Sequence, residues 1–394
     1  MKKTEKIVGL YEKYVMNTYT RVPLCIDRGK GATIWDIDGK KYLDLFPGWA
    51  VSGIGHCHPM VVNAVCKQAK KLMHVSNNYY SKAQAELAKR IIDNSFPGKV
   101  FFGNSGAEAN EAAVKLARKY GHDSGRFEII TMTKSFHGRT MAMITATGQD
   151  KVKKYFEPLL EGFVHVPFND IEAVKETINK KTIGIMLEPI QCEGGINIAP
   201  KEYMQSLRKI CDEKDLVLIL DEVQTGMGRA GKMFAYQHYG MVPDIMTLAK
   251  SLGGGLPIGV AVAREKFQDV LTPGTHASTF GGSPIVCAAA LAVFDAIEKE
   301  HLIQNANKMG KYIKAKLEGL KKKYQFIKEI RQLALIIGVE LGIKGEDVYK
   351  ECLKEGLLIN CTQNTVLRIM PPLTVTKAEI DKAVSILDKV FSRI

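Results

Sequence analysis

Two neighbouring stretches, LVLILDEVQTGMGR at residues 216–229 and PDIMTLAKSLGGGLP at 243–257, decide how this chain reads. Leu216 to Leu220 is a continuous apolar run of strand length, as a strand buried on both faces requires, and Ile245 to Leu248 is a second. Asp221 ends the first run. Lys250 follows the second, just before the breaker Gly253-Gly254-Gly255. In open α/β sheets ligands sit in the crevice outside the carboxyl ends of the strands. An acid and an amine therefore face one crevice, at the separation that a crossover between neighbouring strands spans.

Taken singly, Asp221 reads as a helix cap or turn residue and Lys250 as solvated surface. Taken together they have a chemistry. An amine that condenses with a carbonyl and a carboxylate that keeps a pyridine nitrogen protonated are what pyridoxal phosphate asks of a protein.

Working outward, the 394 residues are 46% hydrophobic and 25% charged, enough for a full-sized core and more in keeping with two lobes than one. No run of about eighteen apolar residues marks a membrane span. The start, MKKTEKIVGLYEKY, lacks an apolar signal core, so a cytoplasmic location is expected. The eight cysteines show no C-x-x-C spacing, and His56-Cys57-His58 has no second cluster to complete a tetrahedral shell, so no metal is expected. The net charge of +13 comes from scattered lysine pairs without interleaved aromatics. A nucleic-acid surface needs a focused patch, so none is expected, and the charge suits anionic small-molecule substrates.

Strand-like and helical patterns alternate along the chain, which predicts a mostly parallel sheet with helices on both faces, an α/β fold. Asp38-Gly39 signals a hairpin turn near the start. After a short strand at Val100–Phe102, Ser105-x-x-Glu108 fits a capping box, and a helix N-terminus behind a glycine-bearing turn is an anion site or simply a capped helix. In Phe136-His137-Gly138-Arg139 an aromatic suited to stacking precedes an arginine fork suited to a carboxylate; packing and a surface ion pair are the plainer readings. Ile183 to Leu187 is another apolar run, ending in Glu188-Pro189 ahead of Gln191-Cys192-Glu193. From about residue 300 the composition turns lysine-rich around strands at Leu335–Leu341 and Val366–Met370, a smaller α+β lobe.

In register, GHCHP, NSGAEANEAAVKLAR, FHGRT, EPIQCEGG, LILDEVQTGMGR, LAKSLGGGLPIG, TFGGSP and VLRIMPPL resemble the class III pyridoxal-phosphate aminotransferases over nearly the whole chain. The resemblance implies the fold type I architecture: an N-terminal segment (1–55) joining the small domain, a large cofactor-binding domain (56–298) and a C-terminal small domain (299–394). It implies that Lys250 binds the cofactor covalently and moves the reaction's proton, and that Asp221 partners the pyridine nitrogen. Val223 and Phe136 would flank the ring and Gln224 would reach its phenolic oxygen. Ser105, Gly106 and Ala107 would hold the phosphate, helped by Thr279 from a partner subunit, so that a homodimer shares its sites.

On the substrate side, the resemblance gives Arg139 and Ser278 to N2-acetyl-L-ornithine and Arg368 to the α-carboxylate of glutamate and 2-oxoglutarate. Glu193 would pair with Arg368 in the other half of a ping-pong cycle, because a buried arginine left unpaired is costly. The implied reaction moves the distal amine of N2-acetylornithine to 2-oxoglutarate, in arginine biosynthesis. Succinylornithine, ornithine, 4-aminobutyrate or an aminoadipate-pathway amine is the alternative donor, and an aminomutase or racemase the alternative reaction. A binding protein without catalysis has only the charge in its favour. Three departures from the family pattern stand out: GGSP replaces GGNP, the loop Ser76-Asn77-Asn78-Tyr79-Tyr80 differs slightly, and Arg331 to Ile337 lacks the usual glycine and the open turn it permits.

Overall fold

A computed structural model describes residues 3–394. Its centre is a seven-stranded sheet in the order Gly98–Gly103, Gly259–Arg264, Ile245–Leu248, Val217–Asp221, Thr182–Leu187, Glu128–Met132, Phe163–Val166. The last five run parallel. Alternate side chains explain the unbroken apolar runs: Leu218, Leu220, Met246 and Leu248 enter one core, whereas Val217, Ile219 and Ile245 enter a second on the opposite face.

The exception to the parallel expectation is Gly259–Arg264, antiparallel to both neighbours. Its cause is the short connection. Residues 249–258 contain only a 3-10 turn at Lys250–Gly253, and a parallel return needs a crossover of a dozen or more residues.

Helices pack both faces. Gly106–Gly121 crosses the strands at 245–248 and 259–264, and its buried Ala109, Ala112, Ala113 and Ala117 let it approach closely. Pro59–Ala69 and Lys82–Asn94 pack on Pro284–Lys299. A separate antiparallel sheet orders Ile327–Leu333, Ile336–Leu341, Val366–Ile369 and Asn360–Thr362. Near the start of the chain, Ile26–Lys30, Thr33–Asp36 and Lys41–Asp44 form a meander turned at Gly39 (φ 90°), and Leu357–Leu358 joins it in parallel.

The glycine-less stretch at 331–337 does turn tightly. Leu333 pairs with Ile336 across a hairpin in which Ala334 takes a φ of 48°, left-handed backbone that glycine ordinarily supplies. Arg331, before it, is fixed by Glu329 (2.5 Å), Glu340 (2.8 Å) and the Gly195 carbonyl (2.8 Å).

Candidate active site

Asp221 and Lys250 do meet in one crevice, because their strands are parallel neighbours with Asp221 opposite Thr247. They line a cavity of about 400 Å³ together with Ser105, Gly106, Ala107, Phe136, Glu193, Val223 and Gln224. Four other sequence-derived candidates are not in its wall. Arg368 lies behind Glu193, fully buried; Arg139 is exposed beside it, its guanidinium 4.4 Å over the Phe136 ring. Ser278 is held outside by Asn104, whose Nδ2 donates to Ser278 Oγ at 3.1 Å. Thr279 is exposed, next to the Asn77 loop and away from this cavity.

Asp221 ends its strand with a buried carboxylate that accepts three hydrogen bonds. Asn110 Nδ2 and His137 Nδ1 each donate to Oδ2 at 2.8 Å, and the Val223 amide donates to Oδ1 at 3.0 Å. Thr247 Oγ1 donates to Asn110 Oδ1 at 2.6 Å, fixing the amide's orientation. An acid this well supported keeps its position in a dry site.

The helix from Gly106 opens on the same cavity. Ser105 Oγ accepts from the Glu108 amide at 3.2 Å, but Glu108 reaches the Asn104 amide instead of returning to Ser105, so the expected box closes on one side only. A Cβ on Gly106 would stand 2.8 Å from Val223 Cγ1, so only glycine lets this turn press against Val223. Free amides and the helix dipole there favour a phosphate-sized anion.

Lys250 begins its 3-10 turn at a φ of 42°. Burial pulls its amine below the ordinary lysine value, opposed by the negative charge of Glu193 and reinforced by Arg368. For Glu193, burial pushes upward, but the Arg368 charge and hydrogen bond, with Lys250 and Arg139 behind them, hold the carboxyl below its usual value. The Glu193–Arg368 contact is 2.6 Å. Asn360 Oδ1 accepts from Arg368 Nη2 at 2.7 Å, and the rings of Phe46 and Trp49 lie 4.5 and 5.4 Å from the guanidinium.

Sequence reasoning passed over three of these residues. His137 was legible only as a neighbour of Phe136. Asn110 had a signal, a polar side chain among the buried alanines of a helix. Glu188 is a buried acid in the cavity wall whose Oε2 has no partner; burial, then the charge of Asp221, push its carboxyl well above the usual range.

The residues present fit a phosphorylated pyridine aldehyde. A glycine-cleared helix N-terminus, a supported carboxylate and a dry amine share one cavity, and His137 Nε2 and Glu188 Oε2 are buried without partners in its wall. Among the described residues no group of acids, histidines and cysteines is arranged to hold a metal ion, and no helix is long and apolar enough to cross a membrane.

A mostly parallel α/β sheet carrying this lysine–aspartate crevice is the architecture of a pyridoxal-phosphate transferase. The chain belongs to the class-III aminotransferase family, whose model matches residues 14–391. It is 53% identical over 387 residues to an acetylornithine aminotransferase of Caldanaerobacter subterraneus subsp. tengcongensis, covering 97% of this chain and 98% of that one. It is 51% identical to another from Methanocaldococcus jannaschii, covering 99% of each. Among solved structures, the ornithine aminotransferase of Toxoplasma gondii ME49 superposes with a TM-score of 0.95 at 33% identity, covering 100% of this chain and 96% of that one. The acetylornithine aminotransferase of Elizabethkingia anophelis gives 0.89 at 31%, covering 100% of each.

Proposed function

We propose that this aminotransferase moves the distal amino group of N2-acetyl-L-ornithine to 2-oxoglutarate, giving N-acetyl-L-glutamate 5-semialdehyde and L-glutamate, with pyridoxal 5′-phosphate as cofactor. The observation that carries the reading is the buried Glu193–Arg368 pair beside Lys250. A terminal amine brings no carboxylate to its reacting carbon, so Glu193 neutralises Arg368 while that donor reacts. Glutamate brings one, and its carboxylate replaces Glu193. One site thus accepts two substrates of different shape. The names of the relatives at 51–53% identity support the same donor.

The chain's own groups divide the work. Ser105, Gly106 and Ala107 anchor the phosphate. Asp221, oriented by His137 and Asn110, would hold the proton on the pyridine nitrogen; Val223 and Phe136 would flank the ring, and Gln224 would reach its phenolic oxygen. When bound, the cofactor supplies an electron sink for the pair released as the substrate's C–H bond breaks. Lys250 Nζ, whose proton affinity burial lowers, would take that proton from the substrate carbon and deliver it to the cofactor's aldehyde-derived carbon, which completes the transfer. Arg139 receives the donor's own α-carboxylate, and Ser278 is assigned to the same substrate by the family resemblance alone.

The working assembly in this proposal is a homodimer. Thr279 stands exposed away from its own cavity, and Trp49, Met73, Tyr79, Tyr80 and Phe280 leave large apolar area uncovered, which suits a second copy that places Thr279 at the neighbouring phosphate.

Relative rates on N2-acetylornithine, N2-succinylornithine, free ornithine and 4-aminobutyrate, each with 2-oxoglutarate, test the donor. The N2-acyl substrate should lead. A clear preference for free ornithine would replace this reading, and turnover without 2-oxoglutarate would indicate a mutase or racemase.

A further inference from the structure

Arg229 and Arg368 head the largest fully buried side chains of the described residues, and they are provided for differently. Arg368 has the carboxylate of Glu193 and the amide oxygen of Asn360. Arg229 makes no ion pair among the described residues. Its Nη1 donates to the Pro371 carbonyl, and its Nε and Nη2 have no acceptor. Burial draws it down to about 10, so it remains a cation at neutral pH. A desolvated cation without a counter-ion costs several kcal/mol, and an apolar side chain of similar volume is the cheaper filling. Stability alone gives no reason for a guanidinium at this place.

Its neighbours suggest one. The chain leaving the Arg368 strand runs Met370-Pro371-Pro372-Leu373, and the two prolines offer no amide hydrogen. This stretch is tied down by the Met370 amide donating to the Leu45 carbonyl at 2.8 Å, the Leu373 amide donating to the Gly53 carbonyl at 2.8 Å, and Arg229 on the Pro371 carbonyl between them. On its other side, Arg229 Nη2 is 3.5 Å from where a Gly53 Cβ would stand, a point that Ser251 crowds as well. Ser251 directly follows Lys250 and donates from Oγ to the Ala50 carbonyl at 2.8 Å. The guanidinium thus lies between the segment that fixes Arg368 and the turn that fixes Lys250.

We propose that Arg229 is a positioning residue for the carboxylate half of the reaction: gripping the Pro371 carbonyl beside the Gly53–Ser251 contact, it keeps Arg368 at constant reach from Lys250 once Glu193 has moved aside. This rests on the two-substrate reading above. While Glu193 is in place, Arg368 is held by its own carboxylate, and an amine donor does not depend on Arg229. When a substrate carboxylate replaces Glu193, Arg368 keeps the Asn360 amide oxygen and the Cys192 carbonyl but loses its one charged tether to the chain, and the Pro371 anchor makes up for that loss.

The test measures each half-reaction alone, by single-turnover absorbance of the holoenzyme, for Arg229→Met and Arg229→Lys. With glutamate, R229M should raise half-saturation by about tenfold while its maximal rate stays within about threefold; with N2-acetylornithine both constants should stay within about threefold. R229K, which keeps the charge and one donor, should recover part of the loss. Equal damage to both half-reactions, or none to either, overturns the proposal. If R229M does not fold, R229K decides by the same split: a rise of about threefold confined to glutamate supports it, and an unselective or absent change overturns it. A wild type that reacts with glutamate and not with N2-acetylornithine refutes the donor reading instead, and the comparison is then made with whichever amine the wild type accepts.

Discussion

His137 Nδ1 lies 2.8 Å from Asp221 Oδ2, with both side chains buried and Asn110 completing the same oxygen's contacts. The pair sets a hierarchy. If Asp221 keeps the pyridine nitrogen protonated as proposed, Asp221→Ala should lower kcat by about two to three orders of magnitude, roughly 3–4 kcal/mol of barrier. His137→Phe removes one of three hydrogen bonds and keeps the space filled, so the loss should be nearer tenfold, about 1–1.5 kcal/mol. Steady-state rates of the two variants check this ordering; equal losses would mean that the histidine acts on the chemistry directly.

Lys250 gives a prediction that needs no turnover. Its folded-state value is depressed, so between that value and the ordinary 10.5 the unfolded chain binds a proton that the folded chain does not. Stability of the cofactor-free protein therefore rises with pH through that window. Lys250→Met should be the more stable protein at pH 7 and should lack this increment. Denaturant midpoints of both proteins across pH 7–10 measure it; parallel curves would contradict a dry amine. The same variant should be inactive as holoenzyme.

Glu193 behaves in the opposite sense. Its carboxyl is depressed below 4.5 by Arg368, so the stability it contributes is complete above that value and is lost as pH falls through the folded one. Glu193→Ala should destabilise the free protein by about 3–5 kcal/mol at neutral pH, because Arg368 keeps its charge in a buried setting. Glutamate should restore part of that loss, its carboxylate filling the gap. Melting curves with and without glutamate decide. Absence of any ligand rescue would detach Glu193 from the carboxylate exchange.

The reading of these elements from sequence succeeded where a period or a run had one physical solution. Buried strands such as Val217–Asp221 and Glu128–Met132 show themselves because both faces need apolar residues, and the residues at their carboxyl ends then share an edge. Sequence was silent where contact depends on the third dimension alone. Nothing along the chain links Asn110 to Thr247, or Arg229 to Pro371. The reversed direction of Gly259–Arg264 was also hidden, since an apolar run carries no direction and only the short connection before it limits the choice. The turn at Ala334 was misjudged for a different reason: a missing glycine was read as a missing turn, whereas packing holds an alanine in the strained conformation.

That strain is itself measurable. Ala334→Gly removes a left-handed penalty of roughly 1–2 kcal/mol, offset in part by greater freedom of the unfolded chain. A net gain of about 0.5–1 kcal/mol in denaturant unfolding is expected, with activity unchanged. A loss would show that the alanine methyl, 3.0 Å from where a Gly231 Cβ would be, contributes more than the strain removes.

The reversed strand also sets a timetable for synthesis. Gly98–Gly103, the strand that delivers Ser105, is at the edge of the central sheet, and its only sheet neighbour among the described residues is Gly259–Arg264. The Gly259 backbone abuts the Ser105 carbonyl so closely that a Cβ there would collide with it. The edge strand leading to Ser105 therefore has no sheet partner until residue 264 has been made, long after the helix that begins at Gly106. The last strand that the proposed cofactor site needs is thus made after both Asp221 and Lys250, so the site is completed late in synthesis.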